Sequence, residues 1–346
     1  MIRKNLFFLL FLLPQILWAG VTNPNISVIG QFNSKYTNDQ ASEDQNTPTL
    51  NLGETELVFD ASLNPYAKGY FVFSVADGVF NTEEAFITIF KGLPQGLALK
   101  GGKYRLGFGK LNIVHPHAYP FIETPRVLSK MLPGEESFND TGVQVSYLLP
   151  FFAAASILSV DVLKGNSFHP DETKSDAGWL GRWSNSFMIS EKHPLEIGGS
   201  FSQGTNNVQW KSKTSISGMD FKAKMNFANQ NSMVLQGEYF LNNSDIVVDT
   251  TTGITNNLKR NGFYLFTDYR FMQRYNAGLI YGQYQNPANK ELTDKAIKGF
   301  IGYSLMEETT IFRLSFERFY PDGQSAVDTY MFQVLFSMGP HKPHQF

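Results

Sequence analysis

Between Leu106 and Asn139 lies the segment whose residue types could do chemistry, LGFGKLNIVHPHAYPFIETPRVLSKMLPGEESFN. His115-Pro116-His117, followed by Glu123, offers imidazole and carboxylate donors of the kind that suit zinc. The spacing is unspecific and Pro116 merely holds an extended turn, so the reading assigns no metal ligands and no cofactor. The two imidazoles are expected to make structural hydrogen bonds, and His341 and His344 near the C-terminus read the same way. Gly101-Gly102, Gly107 and Gly109 fall where a strand becomes a loop, and they suit turns better than a phosphate cradle. No serine sits in a G-x-S-x-G context, and no Ser/His/Asp set can be assembled. The expectation is a protein that is not an enzyme.

The same segment is too apolar for a loop swept by solvent: Leu111, Ile113, Val114, Tyr119, Phe121, Ile122, Val127, Leu128, Met131 and Leu132 all need cover. Thr124 and Pro125 look like the N-cap and first residue of a short helix, which Pro133-Gly134 ends. A connection of this length is expected to be functional or packed on something. Folded inward it would bring Lys110, His115, His117, Glu123, Arg126, Lys130, Glu135 and Glu136 to a constriction. Folded outward it would be a lid over a mouth.

What must position these groups follows from composition and periodicity. The chain has 346 residues, 29 Lys+Arg against 31 Asp+Glu, 31 Phe, 15 Tyr, 29 Gly and no Cys. Its aromatic content of 14% against 17% charge excludes a disordered chain. The absence of Cys excludes a disulfide scaffold, and a pI near 6.3 gives no reason to expect a nucleic-acid surface. Arg3 and Lys4, the apolar run Leu6 to Leu13 and the cleavage-like Ile16 to Ala19 have the anatomy of a secretory signal peptide over 1–19. Loss of those two cations takes the formal charge from −2 to −4. The most apolar later stretch, Tyr147 to Leu158, is too short for a spanning helix and contains Pro150.

Alternation of period two recurs through the rest. Leu57, Phe59, Ala61 and Leu63 alternate with Glu56, Asp60 and Ser62; Phe221, Ala223, Met225 and Phe227 alternate with Asp220, Lys222, Lys224 and Asn226. About 16 such segments start near Asn25, Leu50, Ala67, Val79, Leu97, Asp140, Ala153, Gly178, Leu195, Trp210, Met233, Arg260, Tyr275, Lys295, Thr310 and Asp328. Connections after even-numbered segments are short. Most of those after odd-numbered ones are long and polar: Asn38 to Thr49, Leu106 to Asn139, Gly165 to Ala177, Asn242 to Lys259, Asn286 to Asp294 and Tyr320 to Val327. The turn at Asp77-Gly78 breaks the trend. Short turns at one rim and long loops at the other describe a transmembrane barrel; a soluble two-sheet sandwich has no reason to sort its connections this way.

The fold expected is therefore all-β: a single domain over 20–346 forming a transmembrane, antiparallel, up-and-down β-barrel of about 16 strands with an inward-folded loop at 106–139. Lipid outside assigns the apolar face outward. Glu54, Glu56, Asp60, Arg182, Glu196, Asp220, Lys222, Lys224, Glu238, Asp268, Arg270, Lys298, Arg313 and Glu317 then line the lumen. Trp179, Trp183, Tyr239, Tyr269, Tyr330 and Phe332 are candidates for interfacial aromatic girdles.

ALKGGKYRLGFGKLNIVHPHAYPF, the preceding Glu83-Glu84-Ala85-Phe86, and DTGVQVSYLLP at Asp140 to Pro150 resemble a group of bacterial porin-like outer-membrane barrels. These are loosely similar to the phosphate-selective porin O/P family and are often labelled porin or zinc-regulated outer-membrane receptor. The close likeness covers Ile26 to Pro150 and implies a pore-forming barrel without fixing a substrate. The scattered interior cations depart from the Arg/Lys-rich lumen that phosphate selectivity requires. Phe346 is similar to a terminal assembly-signal aromatic but lies eight residues past Met338, after two prolines. The reading is an exported porin of the bacterial outer membrane that passes small hydrophilic solutes or ions. Its expected partners are outer-membrane lipid and the barrel-assembly machinery, with a homotrimer suggested by size alone and no nucleic acid. The alternatives are a loop-plugged, non-conducting binding or adhesion barrel and, behind it, an outer-membrane lipid hydrolase.

Overall fold

The computed structural model describes residues 24–76, 78–134, 137–150, 155–169, 176–305 and 309–339. The expected signal peptide, His341, His344, Phe346 and the candidate carboxylates Glu135 and Glu136 lie outside the described residues. No helix among the described residues is long and apolar enough to cross a membrane.

Sixteen antiparallel strands follow one another around a closed barrel. They are β1 (Asn25–Thr37), β2 in two pieces (Thr49–Leu52 and Thr55–Asn64), β3 (Ala67–Ala76), β4 (Val79–Ile89), β5 (Leu97–Arg105), β6 (Asn139–Leu149), β7 (Ala155–Leu163) and β8 (Gly178–Ser190). The second half comprises β9 (His193–Asn207), β10 (Ser212–Asn226), β11 (Ser232–Asp249), β12 (Ile254–Phe271), β13 (Tyr275–Gln285), β14 (Thr293–Ser304), β15 (Thr310–Tyr320) and β16 (Val327–Met338). Each pairs with its successor, and β1 pairs with β16 from Val28↔Met338 to Thr37↔Thr329. Closure leaves no open sheet edge, the condition for strands to sit in hydrocarbon.

Two bulges adjust which side chains reach the lumen. β1 pairs with both pieces of β2, as Phe32↔Leu52 and Ile29↔Glu56, so the strand gains one residue at Gly53-Glu54. Leu50 and Leu52 therefore face outward at even positions, whereas Leu57 and Phe59 do so at odd ones. In β4 the register passes from Val72↔Glu84 to Phe73↔Thr82, leaving Glu83 as the extra residue. Both Glu83 and Glu84 consequently meet the interior, where strict alternation would send one to lipid.

The long-loop rim carries one correction. The segment Asn242 to Lys259, read as a polar loop, is mostly strand: β11 and β12 are each 18 residues long and pair from Ser232↔Arg270 to Asp249↔Ile254. At ~3.3 Å per residue each far exceeds what a ~25 Å apolar band requires even when tilted. The outer ends of this hairpin therefore stand in water, where a strand can be polar on both faces. At the opposite rim Tyr269, Phe271, Tyr275, Tyr303 and Phe312 form a ladder of rings with centroids 5.0 to 6.4 Å apart, as a girdle requires. Trp179, Trp183, Tyr239 and Tyr330 are exposed on the outer wall.

The apolar core sits inside the barrel and is built largely by the loop over residues 106–138. Leu106, Phe108, Leu111, Tyr119, Phe121, Val127, Leu128, Met131 and Phe138 pack against the inward-facing Ile216, Phe240, Tyr264, Phe266, Ile280 and Phe300 of the wall. The inner face is thus not uniformly charged. Within the loop, α1 (Arg126–Met131) starts one residue later than expected: Pro125 is its N-cap, and no side chain caps it.

Candidate pore constriction

The loop enters and leaves through a closed neck. Leu106 N–H donates to Phe138 O at 2.9 Å. The Asn112 amide donates to both Leu106 O and Phe138 O at 2.8 Å and accepts from Phe138 N–H at 2.9 Å. Asn112 is buried, so every one of its bonds is made away from water.

From that neck the chain meets three sides of the wall. Toward β9–β12, Glu238 accepts the N–H groups of Lys110 and Leu111 at 2.9 and 2.8 Å and also the Tyr264 hydroxyl. Lys110 itself pairs with Glu196. Gly109 has φ +68, and a Cβ there would collide with the Glu238 carboxylate, so this approach needs glycine.

Toward β2 and β4, His117 Nδ1 lies 2.7 Å from Glu56 Oε1, and His115 Nε2 lies 2.9 Å from Glu84 Oε2. Burial opposes a charge on His115, but its hydrogen bonds to Glu56 and Glu84 carry its pKa up to about 9. Toward β13–β15, Arg126 donates through Nε to Glu317 at 2.7 Å and lies 4.3 Å over the Phe319 ring. Lys298 bonds the same Glu317 at 3.1 Å, and Arg313 donates to His117 O at 3.0 Å. Between these polar anchors, Phe121 stands edge-on to Phe266 and Phe300 at 5.5 and 5.6 Å.

The structure therefore brings Lys110, His115, His117 and Arg126 onto the wall. Glu123 lies apart from the imidazoles, 3.9 Å from both Lys35 and Lys298. The Lys130 side chain is exposed, and only its backbone carbonyl meets Arg260, at 3.1 Å. Of the lumen candidates, Glu56, Arg182, Asp220, Asp268, Arg313 and Glu317 are buried on the inner face. Arg182 clasps Asp220 with two bonds of 2.7 and 3.0 Å, the bidentate geometry of a guanidinium–carboxylate pair. Lys222, Lys224 and Arg270 are electrostatic neighbours on β10 and β12, close to Lys110 and Glu196. Glu54 and Asp60 belong to β2 and its bulge, on the wall that carries Glu83 and Glu84.

Sequence reasoning missed Glu83, Arg105 and Asn112 as functional positions. Arg105 Nη2 bonds Glu83 at 3.0 Å, an ion pair that only the β4 bulge makes possible. The signal for Asn112 was faint: a lone polar residue in an apolar loop segment, with neck carbonyls it could satisfy.

No protein-family model matches the chain. A relative from Aquifex aeolicus (strain VF5), described as an uncharacterized protein, is 27% identical over 338 residues, covering 86% of this chain and 70% of that one. The outer membrane channel DcaP of Acinetobacter baumannii superposes with a TM-score of 0.64 at 11% identity, covering 92% of this chain and 98% of that one. An anion-selective porin from Comamonas acidovorans gives 0.61 at 12% identity, with 92% and 100% covered. The chain has the fold of outer-membrane porins and channels, a closed sixteen-strand barrel.

Proposed function

We propose that this chain is an outer-membrane porin, a passive channel that lets small hydrophilic solutes or ions cross a lumen narrowed by its own loop, with no reaction of its own. The observation that carries the reading is a bore lined by ionisable side chains of both signs, unevenly distributed around the ring. Glu54, Glu56, Asp60, Glu83 and Glu84 lie on β2 and β4, whereas β10 and β12 carry Lys222, Lys224 and Arg270 together with Asp220 and Asp268. In a ring of sixteen, strands eight apart face each other, so an acid-rich wall is opposed to one of mixed charge. An acid-rich wall opposite one that carries cations sets a field across the path of a hydrated ion, which is how side-chain rings tune a pore. About sixteen strands also leave more room than side chains alone can fill.

Single-channel recording of the refolded protein in a planar bilayer tests this, with reversal potential read in a salt gradient. Discrete, stable conductance steps are expected. The apolar packing of the loop from β10 to β14 favours a second reading, a barrel sealed by its loop, and a silent but inserted barrel would select it. Residence in outer-membrane lipid after assembly by the barrel-assembly machinery, and association as a homotrimer, belong to the same proposal.

A further inference from the structure

The loop delivers two imidazoles to a carboxylate of the opposing strand in a way hydrogen bonding alone leaves incomplete. His115 and His117 flank Pro116 with their rings 5.7 Å apart and 25° from parallel. Glu56 of β2 is fully buried between them: Oε1 is 2.7 Å from His117 Nδ1, and Oε2 is 3.2 Å from His115 Nδ1. One donor atom from each of the three residues lies within 4.8 Å of the others. Two of the atoms facing the centre, Glu56 Oε2 and His115 Nδ1, are buried and have only each other, 3.2 Å apart and without well-formed hydrogen-bond geometry. Buried polar atoms so poorly satisfied leave capacity for a further partner between them.

The surroundings fix the remaining valences. His115 Nε2 is held at 2.9 Å by Glu84 Oε2, whose other oxygen accepts Arg105 N–H at 2.8 Å. With the outer N–H donated to a carboxylate, a cation that displaces the inner proton would meet the inner nitrogen lone pair, the outer-shell pattern of metal-ligating histidines. Glu83 Oε2 stands 3.6 Å from the same Nδ1. Three carboxylates, Glu56, Glu83 and Glu84, are thus gathered here, offset by the Arg105 guanidinium and by protons on the imidazoles, a positive charge that a dication can supply in the protons' place.

We propose that Glu56, His115 and His117 bind a divalent transition metal of the zinc class, with Glu83 or water completing the coordination. Two nitrogens and a carboxylate suit zinc, whereas calcium and magnesium take oxygen ligands. Because Glu56 belongs to the wall and both histidines to the loop, the metal fastens the loop inside the barrel. The site stands whether or not the barrel conducts.

Full-length barrel refolded in detergent, stripped with EDTA and dialysed against zinc chloride tests the proposal by elemental analysis and thermal unfolding. One zinc per folded chain is expected, with a raised midpoint that magnesium does not reproduce. Glu84→Gln should weaken zinc binding by about 10- to 100-fold, as loss of an outer-shell partner does. His115→Asn with His117→Asn should abolish it. Those two positions lie in the loop, so heat-modifiable migration checks that the variant barrel has closed. A closed variant that keeps wild-type zinc affinity would overturn the proposal, as would a folded wild type that takes up no zinc. Copper(II) bound to wild type should show hyperfine coupling to two imidazole nitrogens; coupling to fewer would also overturn it. A silent barrel that binds zinc would remove the porin reading and leave the site intact, and a conducting barrel without zinc would do the reverse.

Discussion

Asn112 and Phe138 bond reciprocally, side-chain amide to backbone, at 2.8 and 2.9 Å across the neck of the inward loop. With the third bond from Asn112 to Leu106 O, one side chain satisfies three backbone groups in a site closed to water. Asn112→Ala would leave all three with less than their complement, at a cost of about 3 kcal/mol. Little of that falls on the barrel, whose own ladder is untouched. The expected outcome is a folded barrel whose loop is cut by protease within 106–138 while wild type resists. Equal resistance in the two would mean that the neck is held by packing alone.

Gly109 and Glu238 give a sharper steric test. A methyl group on Gly109 meets the carboxylate that fixes Lys110 and Leu111, and φ of +68 adds backbone strain of about 1–3 kcal/mol. Gly109→Ala should therefore lift Lys110 off Glu196. In the conducting protein, current noise and mean conductance should both increase. Unchanged single-channel steps would show that this corner of the loop does not border the path.

Phe121 tests the apolar half of the anchoring. It is fully buried between Phe266 and Phe300, and truncation of such a ring costs about 3–5 kcal/mol. Phe121→Ala should lower the thermal midpoint of the barrel, measured by loss of heat-modifiable migration, with Phe121→Leu falling between. A midpoint unchanged by Phe121→Ala would mean that the loop and the wall unfold independently.

The barrel was legible in the sequence because lipid enforces alternation, and fifteen of the sixteen strand starts lie within two residues of the positions read. The exception is β12, read from Arg260 and observed from Ile254, where the strand stands beyond the membrane and alternation loses its cause. The inward loop was legible too, since residues such as Phe121 and Met131 demand cover. What each loop charge would meet was not. His117 finds Glu56, 61 residues away, through the register of β1 with both halves of β2, and a one-residue bulge sets that register. Glu123 has the right chemistry for the imidazoles but follows Tyr119 to Ile122 to another wall. Phe240, Phe266 and Phe300 share the inward parity of Glu238, Asp268 and Lys298, and the chemical contrast alone hid them.

The opposed walls make selectivity itself a prediction. Lys222 and Lys224 are neighbours on β10, facing the carboxylates of β2 and β4 across the ring. Their fields act over roughly a Debye length, ~10 Å at 0.1 M salt. Replacing both by Glu turns that mixed wall, which already carries Asp220 and Asp268, net acidic. The reversal potential in a salt gradient should move toward the cation equilibrium value, with the larger shift at low ionic strength. The converse pair, Glu54→Lys with Asp60→Lys, should move it toward the anion value. If neither pair shifts the potential while both variants still conduct, ions pass outside the reach of these walls. The path would then have to lie on the far side of the loop, nearer the Arg126–Glu317 and Lys298 anchors, where Glu317→Gln becomes the variant that should alter selectivity.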